Sequence, residues 1–260
     1  MTMLFPPGTF APDPRPSTPA QMLRAQYSLE LKLLLRNGEQ LLLIMFIPIT
    51  LLIGLTLLPL GDVGPDRVGV FTPAIMALAV ISTAFTGQAI AVAFDRRYGA
   101  LKRLGATALP VWGVIVGKLL AVVTVVFLQA VLLGAIAFAL GWRPSPAGLA
   151  LGALVMGVGT ASFAAMGLLL GGTLKAEIVL AVANLGWFVF AGLGALVLPS
   201  GDGLVPAPVR EIARLTPSGA LTEGLSLATG AASLSWFALG VLLVWGVVCG
   251  VAARRWFRFT

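Results

Sequence analysis

The sequence predicts an all-α polytopic membrane protein with six transmembrane helices, and three observations carry that prediction. Apolar residues (AVILMFWYC) make up 58% of the 260 and charged residues 10%, where a soluble domain carries about 25% charge. Six stretches reach the roughly 20 apolar residues a helix needs to cross a bilayer. They are Leu41–Leu60, Val68–Phe94, Leu119–Leu140, Ala147–Leu170, Ile178–Leu198 and Leu234–Ala253, and none contains a charge. A single Asp, Lys or Arg at a helix centre costs about 2.5–3.5 kcal/mol on insertion, so six clean windows are a strong pattern. The runs do not alternate polar and apolar, which excludes a closed β-barrel. The third observation is the uneven placement of the basic residues between the windows.

In chain order, residues 1–17 come first. Six prolines lie in the first 19 residues and no apolar core of signal-peptide length does, so a disordered cytoplasmic tail is expected. Thr18-Pro19-Ala20-Gln21 has the form of a capping box with Pro at the first helical position. The helix it opens, over 18–37, puts Leu23, Tyr27, Leu31 and Leu34 on one face and Arg24, Ser28, Lys32 and Arg36 beside it. That pattern suits an amphipathic helix lying in the membrane interface. Asn37-Gly38 is its stop. Residues 38–260 form the six-span domain. Between spans 2 and 3 lies a short charged segment, 95–109, and at the foot of span 3 Lys118 is expected to snorkel to the interface. Between spans 5 and 6, residues 199–229 read as an outer hairpin of two short helices broken at Pro217, re-entering shallowly or lying on the surface.

Orientation follows from the basic residues. With both termini on one side, Arg67, Arg143, Arg210 and Arg214 face the other, and the remaining thirteen of 17 share the side of the termini. The positive-inside rule makes that side cytoplasmic. The net charge of +7 is then a topology determinant and a match to anionic membrane lipids, not a sign of nucleic acid.

The chain has no His and a single Cys, Cys249, inside an apolar run. Zinc sites, His-based nucleophile arrangements and disulfides are thereby excluded. Its one Gly-Lys pair, Gly117-Lys118, lacks the flanking residues of a phosphate loop, so the chain is expected to bind no nucleotide, metal or cofactor. No acid or His lies within a window, which argues against a proton relay. The polar residues inside the windows are milder: Thr72, Thr83 and Thr86 on one face of span 2, Gln129 in span 3, Thr160 and Ser162 in span 4, and Asn184 in span 5. They fit either interhelical hydrogen bonds, worth about 0.6 kcal/mol each, or a weakly polar substrate path; Thr72, Thr83, Thr86, Gln129 and Asn184 are the path candidates. Gly113 with Gly117 and Gly167 with Gly171 suit close helix packing.

The segment Asp95–Leu109 holds five charges, four of them basic. It reads as a short amphipathic helix around Gly99, with Leu101, Leu104 and Ala108 as an apolar stripe among Arg97, Lys102 and Arg103. Asp95, flanked by Arg96 and Arg97, belongs to a charge cluster and not to an active site. An ordered leucine stripe asks for a partner groove, so the segment is read as a docking helix.

The run Gly99-Ala-Leu-Lys-Arg-Leu-Gly-Ala-Thr-Ala-Leu-Pro110, with Gly117-Lys118 downstream, resembles the coupling region of ABC-2 type ABC transporter permeases. Those typically read Glu-x-Glu-x-Gly-Thr-Leu-Lys-x-Leu-x-x-Thr-Pro-Leu-Pro. The interfacial helix, the six spans and the Pro-broken outer hairpin (Val209 to Pro217) extend the resemblance over nearly the whole chain, in the manner of the drug-exporting, daunorubicin-resistance type. Here Asp95 and Arg97 stand near the family's acidic positions, Ala100 replaces Thr and Ala108 replaces Pro.

The resemblance implies a bacterial plasma-membrane permease that dimerises with a second copy or a paralogue. A separate nucleotide-binding ATPase subunit would hold ATP and Mg. The cargo would be a hydrophobic or amphiphilic compound, drug-, antibiotic- or lipid-like, exported from the cytoplasm. The coupling role would fall on Asp95, Arg96, Arg97, Tyr98, Gly99, Leu101, Lys102, Arg103 and Leu104. Two other readings stay open: a non-transporting anchor that recruits an ATPase, and a six-span membrane enzyme.

Overall fold

The computed structural model describes residues 17–58, 63–107, 109–199 and 205–256, and among them every regular element is a helix. In order these are α1 (Pro19–Arg36), α2 (Gly38–Leu57), α3 (Arg67–Val80), a π-helical segment (Ile81–Gly87), α4 (Gln88–Arg97), α5 (Ala100–Gly105), α6 (Val111–Ala139), α7 (Pro146–Thr173), α8 (Ala176–Ala195), α9 (Ala207–Arg214), α10 (Pro217–Ala231) and α11 (Trp236–Trp256). All but the last residue of the expected tail lies outside the described residues, as do Leu60, Ala108 and residues 200–204. The six apolar windows fall in six long helices: α2, the continuous Arg67–Arg97 helix, α6, α7, α8 and α11.

Local chemistry sets the element boundaries. Thr18 and Gln21 exchange both bonds of the capping box that starts α1. Asn37 then serves two helices at once. Its N–H closes α1 on the Leu34 carbonyl, and its side chain caps α2 by accepting from the Gln40 N–H at 3.2 Å. A polar hinge between an amphipathic helix and a greasy one is what a change of direction needs.

Span 2 is the hub, with 72% of its apolar window buried, whereas α2 and α8 bury only 11% and 17%. It packs chiefly on α7. There Gly167 faces the Ala84 and Phe85 carbonyls and Gly171 faces that of Ala89, so closely that a methyl group at either would collide with backbone. Phe85, Phe163 and Phe190 meet edge to face, centroids 5.3–6.4 Å apart, and lock the π segment to α7 and α8. Ser162 donates to the Leu242 carbonyl at 2.7 Å and ties α7 to α11.

An arginine at each end of span 2 caps a neighbour. Arg67 donates to the Leu55 and Leu58 carbonyls at the end of α2, and Arg96 to the Gly171 and Leu174 carbonyls at the end of α7. Both contacts place a cation on the negative end of a helix dipole.

The hairpin before the last span is broken where expected, with Pro217 opening α10 and Thr216 as its cap. α10 does not lie on the surface. Ala220, Leu221, Leu225 and Ala228 are fully buried among the spans, and Gly159 of α7 makes room for Leu221.

Candidate functional site

At the end of the bundle that carries α5, three elements meet on one side chain. Lys118, at the start of span 3, donates from Nζ to Glu30 Oε2 on α1 and to Asp95 Oδ2 at the end of span 2, both at 2.8 Å. Lys118 is 5% exposed and Glu30 is 7%. Gln26 completes the set by donating to Glu30 Oε1 at 2.7 Å. Burial raises the Glu30 carboxyl above its ordinary value even with the ammonium beside it. Lys118 therefore does not snorkel: Gly117, one residue earlier, lets α1 approach so closely that the ammonium is covered. α1 accordingly turns Gln26 and Glu30 toward span 3, while Leu23, Tyr27, Leu31 and Leu34 are half-buried. Asp95 pairs with Lys118 and not with its chain neighbours, because Arg96 caps α7 and Arg97 bonds Glu177.

Beyond Arg97 the helix breaks. Gly99 sits at φ +71°, a left-handed conformation that costs glycine nothing, and α5 spans only Ala100–Gly105. The expected amphipathic helix over 95–109 is thus shorter, and Asp95, Arg96 and Arg97 belong to the end of span 2. Its leucines also face the other way. Leu101 is fully buried with Val92, Val114, Leu168 and Ala253, and Leu104 packs against that cluster. The side chains α5 and its turn offer outward are Tyr98, 68% exposed, with Lys102 and Arg103. Arg103 also donates to the Tyr98 carbonyl at 3.3 Å and stiffens the turn.

Beside the Lys118 triad a groove of about 860 Å³ opens between α2, span 2 and α8. Glu30, Glu39, Asp95 and Lys118 line it at the α5 end. Leu43, Ile47, Ile90, Phe94, Trp187 and Phe188 form much of its wall. From Asp95 to Ser82 it follows roughly 20 Å of helix axis. Ser82, in the π segment, accepts from Trp187 Nε1 at 2.6 Å, which pins span 5 to span 2 at the far end of the groove.

Of the five path candidates, two reach this groove: Thr86, which donates to the Ala183 carbonyl at 3.4 Å, and Asn184. Thr83 and Gln129 do not. Thr83 donates to Gln129 Oε1 at 2.8 Å and Gln129 donates to the Ile44 carbonyl at 2.9 Å, a buried clasp across spans 1, 2 and 3. Thr72 is buried farther along α3. Thr83 and Thr86 do not share a face, because the wide turns of the π segment send one toward α6 and the other toward α8.

Sequence reasoning missed Glu30, Glu39, Gln88 and Trp187. Glu30 did leave a signal, as the single acid of α1 among Arg24, Lys32 and Arg36.

Among the described residues, five apolar helices around a deeply buried second span, with a lateral groove between the two least buried, make this a multi-pass helical membrane protein. Residues 23–229 match the ABC-2 type transporter family, and the chain belongs to it. Members are membrane permease subunits of ABC exporters; they lack an ATPase site of their own and generally work with an ABC ATPase subunit. No curated protein matches the chain.

Proposed function

We propose that the chain is the permease subunit of an ATP-driven exporter in a bacterial plasma membrane, with both termini cytoplasmic. Its cargo is a hydrophobic or amphiphilic compound, drug-, antibiotic- or lipid-like. The observation that carries this reading is the groove: its wall is mainly apolar with Ser82, Thr86 and Asn184 set into it, it is charged at the α5 end, and it is flanked by the two spans with most surface left to cover. A second copy or a paralogue packs across the exposed faces of α2 and α8 and closes the groove against lipid. A separate nucleotide-binding subunit holds ATP and Mg and docks on Tyr98, Lys102 and Arg103.

Transmission follows from how α5 is seated. Leu101 sits among residues of spans 2, 3, 4 and 6, so pressure on α5 moves packed helices as bodies instead of bending a loop. Asp95, at the foot of span 2, passes the same displacement through Lys118 to Glu30 and α1. Arg96 and Arg97 carry it to α7 and α8.

Charge reversal of Lys102 and Arg103 to Glu tests the docking surface. Both side chains are exposed and the reversal removes only Arg103's solvent-facing bonds to the turn, so unfolding stability falls by no more than about 1 kcal/mol. Association with the ATPase subunit falls about tenfold or more, roughly 1.4 kcal/mol, and ATP-dependent flux in vesicles holding both subunits falls with it. Unchanged association and flux would contradict the assignment. No ATP-dependent flux in the unmutated complex would favour the anchor reading.

A further inference from the structure

We infer that a separate crevice, between spans 3 and 4 at the end of the bundle opposite α5, holds one acyl chain of a phospholipid whose phosphate meets Arg143. With both termini cytoplasmic, this is a lipid of the outer leaflet.

The crevice encloses about 360 Å³, and its lining contains no Asp, Glu, Lys or Arg. Small residues leave the space: Ala130 and Gly134 on α6, Gly152 and Ala153 on α7. From Phe127 to Phe138 it follows roughly 16 Å of helix axis, about the hydrocarbon depth of one leaflet. An extended chain lying along the spans fits that shape. A partner helix of that length, about 10 Å across, is too large to enter.

The donors at its mouth set the chemistry. The Arg143 guanidinium lies 3.8 Å over the Phe138 ring. Its Nη1 donates to the Phe138 and Trp142 carbonyls at the end of α6, which holds the cation beside the crevice. Arg143 makes no ion pair among the described residues. The described acids on this side are engaged elsewhere: Asp66 caps α3, and Glu211 and Glu223 hold Arg214. Trp142 lines the crevice and is 7% exposed. Its indole N–H has no partner among the described residues and is not sealed from its surroundings. An indole at the membrane interface uses that N–H on an acceptor. A free cation and a free donor at the mouth of an apolar slot fit an anionic, acceptor-rich head on an apolar tail. The phosphodiester and ester oxygens of a phospholipid supply it.

The test is photolabelling of the full chain in nanodiscs doped with phosphatidylglycerol that carries a diazirine in its acyl chain. Labelled positions are read by peptide mass spectrometry. Labelling at 127–138 and 149–156 is expected to exceed that of the exposed face of α11 about fivefold or more. Excess unlabelled phosphatidylglycerol should abolish the enrichment, and excess glycerol 3-phosphate should not. Arg143→Gln, and Ala153→Trp, which fills the crevice from its rim, should each reduce it severalfold. Both positions are exposed, so both variants are expected to fold. Equal labelling of all lipid-facing spans, or an enrichment unchanged in either variant, overturns the inference. Labelling here below that of α11 would mean that another chain covers the crevice, and overturns it too. Competition by glycerol 3-phosphate would assign the site to a small phosphate ester and likewise overturn it.

Discussion

Lys118 joins three elements through one side chain, because carboxylates from α1 and span 2 close on it where it is itself almost fully buried. Removing one member of a buried ionic set leaves the others desolvated and unpaired, at about 3–5 kcal/mol. Asp95 retains partial exposure, which moves the expected loss toward the lower end of that range. Lys118→Ala is therefore expected to destabilise the chain by about 3 kcal/mol, read from its thermal unfolding midpoint in detergent. Adding Glu30→Gln and Asp95→Asn to Lys118→Met should restore most of that loss. A single variant as stable as the parent would show that the triad is not a structural clasp. The sequence held hints of this site in Glu30 and in the Gly-Lys pair. It could not join them, because the 88 residues that separate Glu30 from Lys118 are bridged only in the folded bundle.

At the scale of elements, the six spans, the capping box at Thr18 and the hinge at Asn37 were legible, since each depends on nearby residues alone. Hydropathy decides a span, and a side chain three residues from a backbone N–H decides a cap. The direction in which an amphipathic helix faces is a different matter. The Leu101–Leu104 stripe reads the same whether a partner or the chain itself buries it, and here the chain does. The π segment left no trace in the sequence either, because its wide turns are held by Phe85, Phe163 and Trp187, which lie far apart along the chain. Such segments occur often at functional sites, and this one borders the groove. The Gly167–Gly171 seam was legible as small residues one turn apart. Its geometry yields a prediction: Gly171→Ala pushes a methyl group into the Ala89 carbonyl and costs about 1–3 kcal/mol. Gly157→Ala, with open space around it on the same helix, should cost nothing measurable in the same unfolding assay. Equal effects at the two positions would refute the close-packed seam.

Across the whole molecule, the α5 end gathers what the proposed mechanism needs: an outward basic turn, a leucine seated among four spans, a charge triad one turn away, and the mouth of the groove. The shortness of these connections argues for rigid transmission, since no flexible link intervenes between Tyr98 and the helices that flank the groove. The proposed displacement, passed from Asp95 to α1 and from Arg97 to α8, moves α2, which follows α1 across the Asn37 hinge, relative to α8 during nucleotide turnover on a docked ATPase. It is tested most directly by spin-label distance measurement between Leu43→Cys and Phe188→Cys, on a Cys249→Ser background, in nanodiscs holding permease and ATPase subunits. The distance distribution should shift between the nucleotide-free and the vanadate-trapped complex, and the shift should vanish when Lys102 and Arg103 are reversed to Glu. An identical distribution in both nucleotide states of the assembled complex would contradict the account.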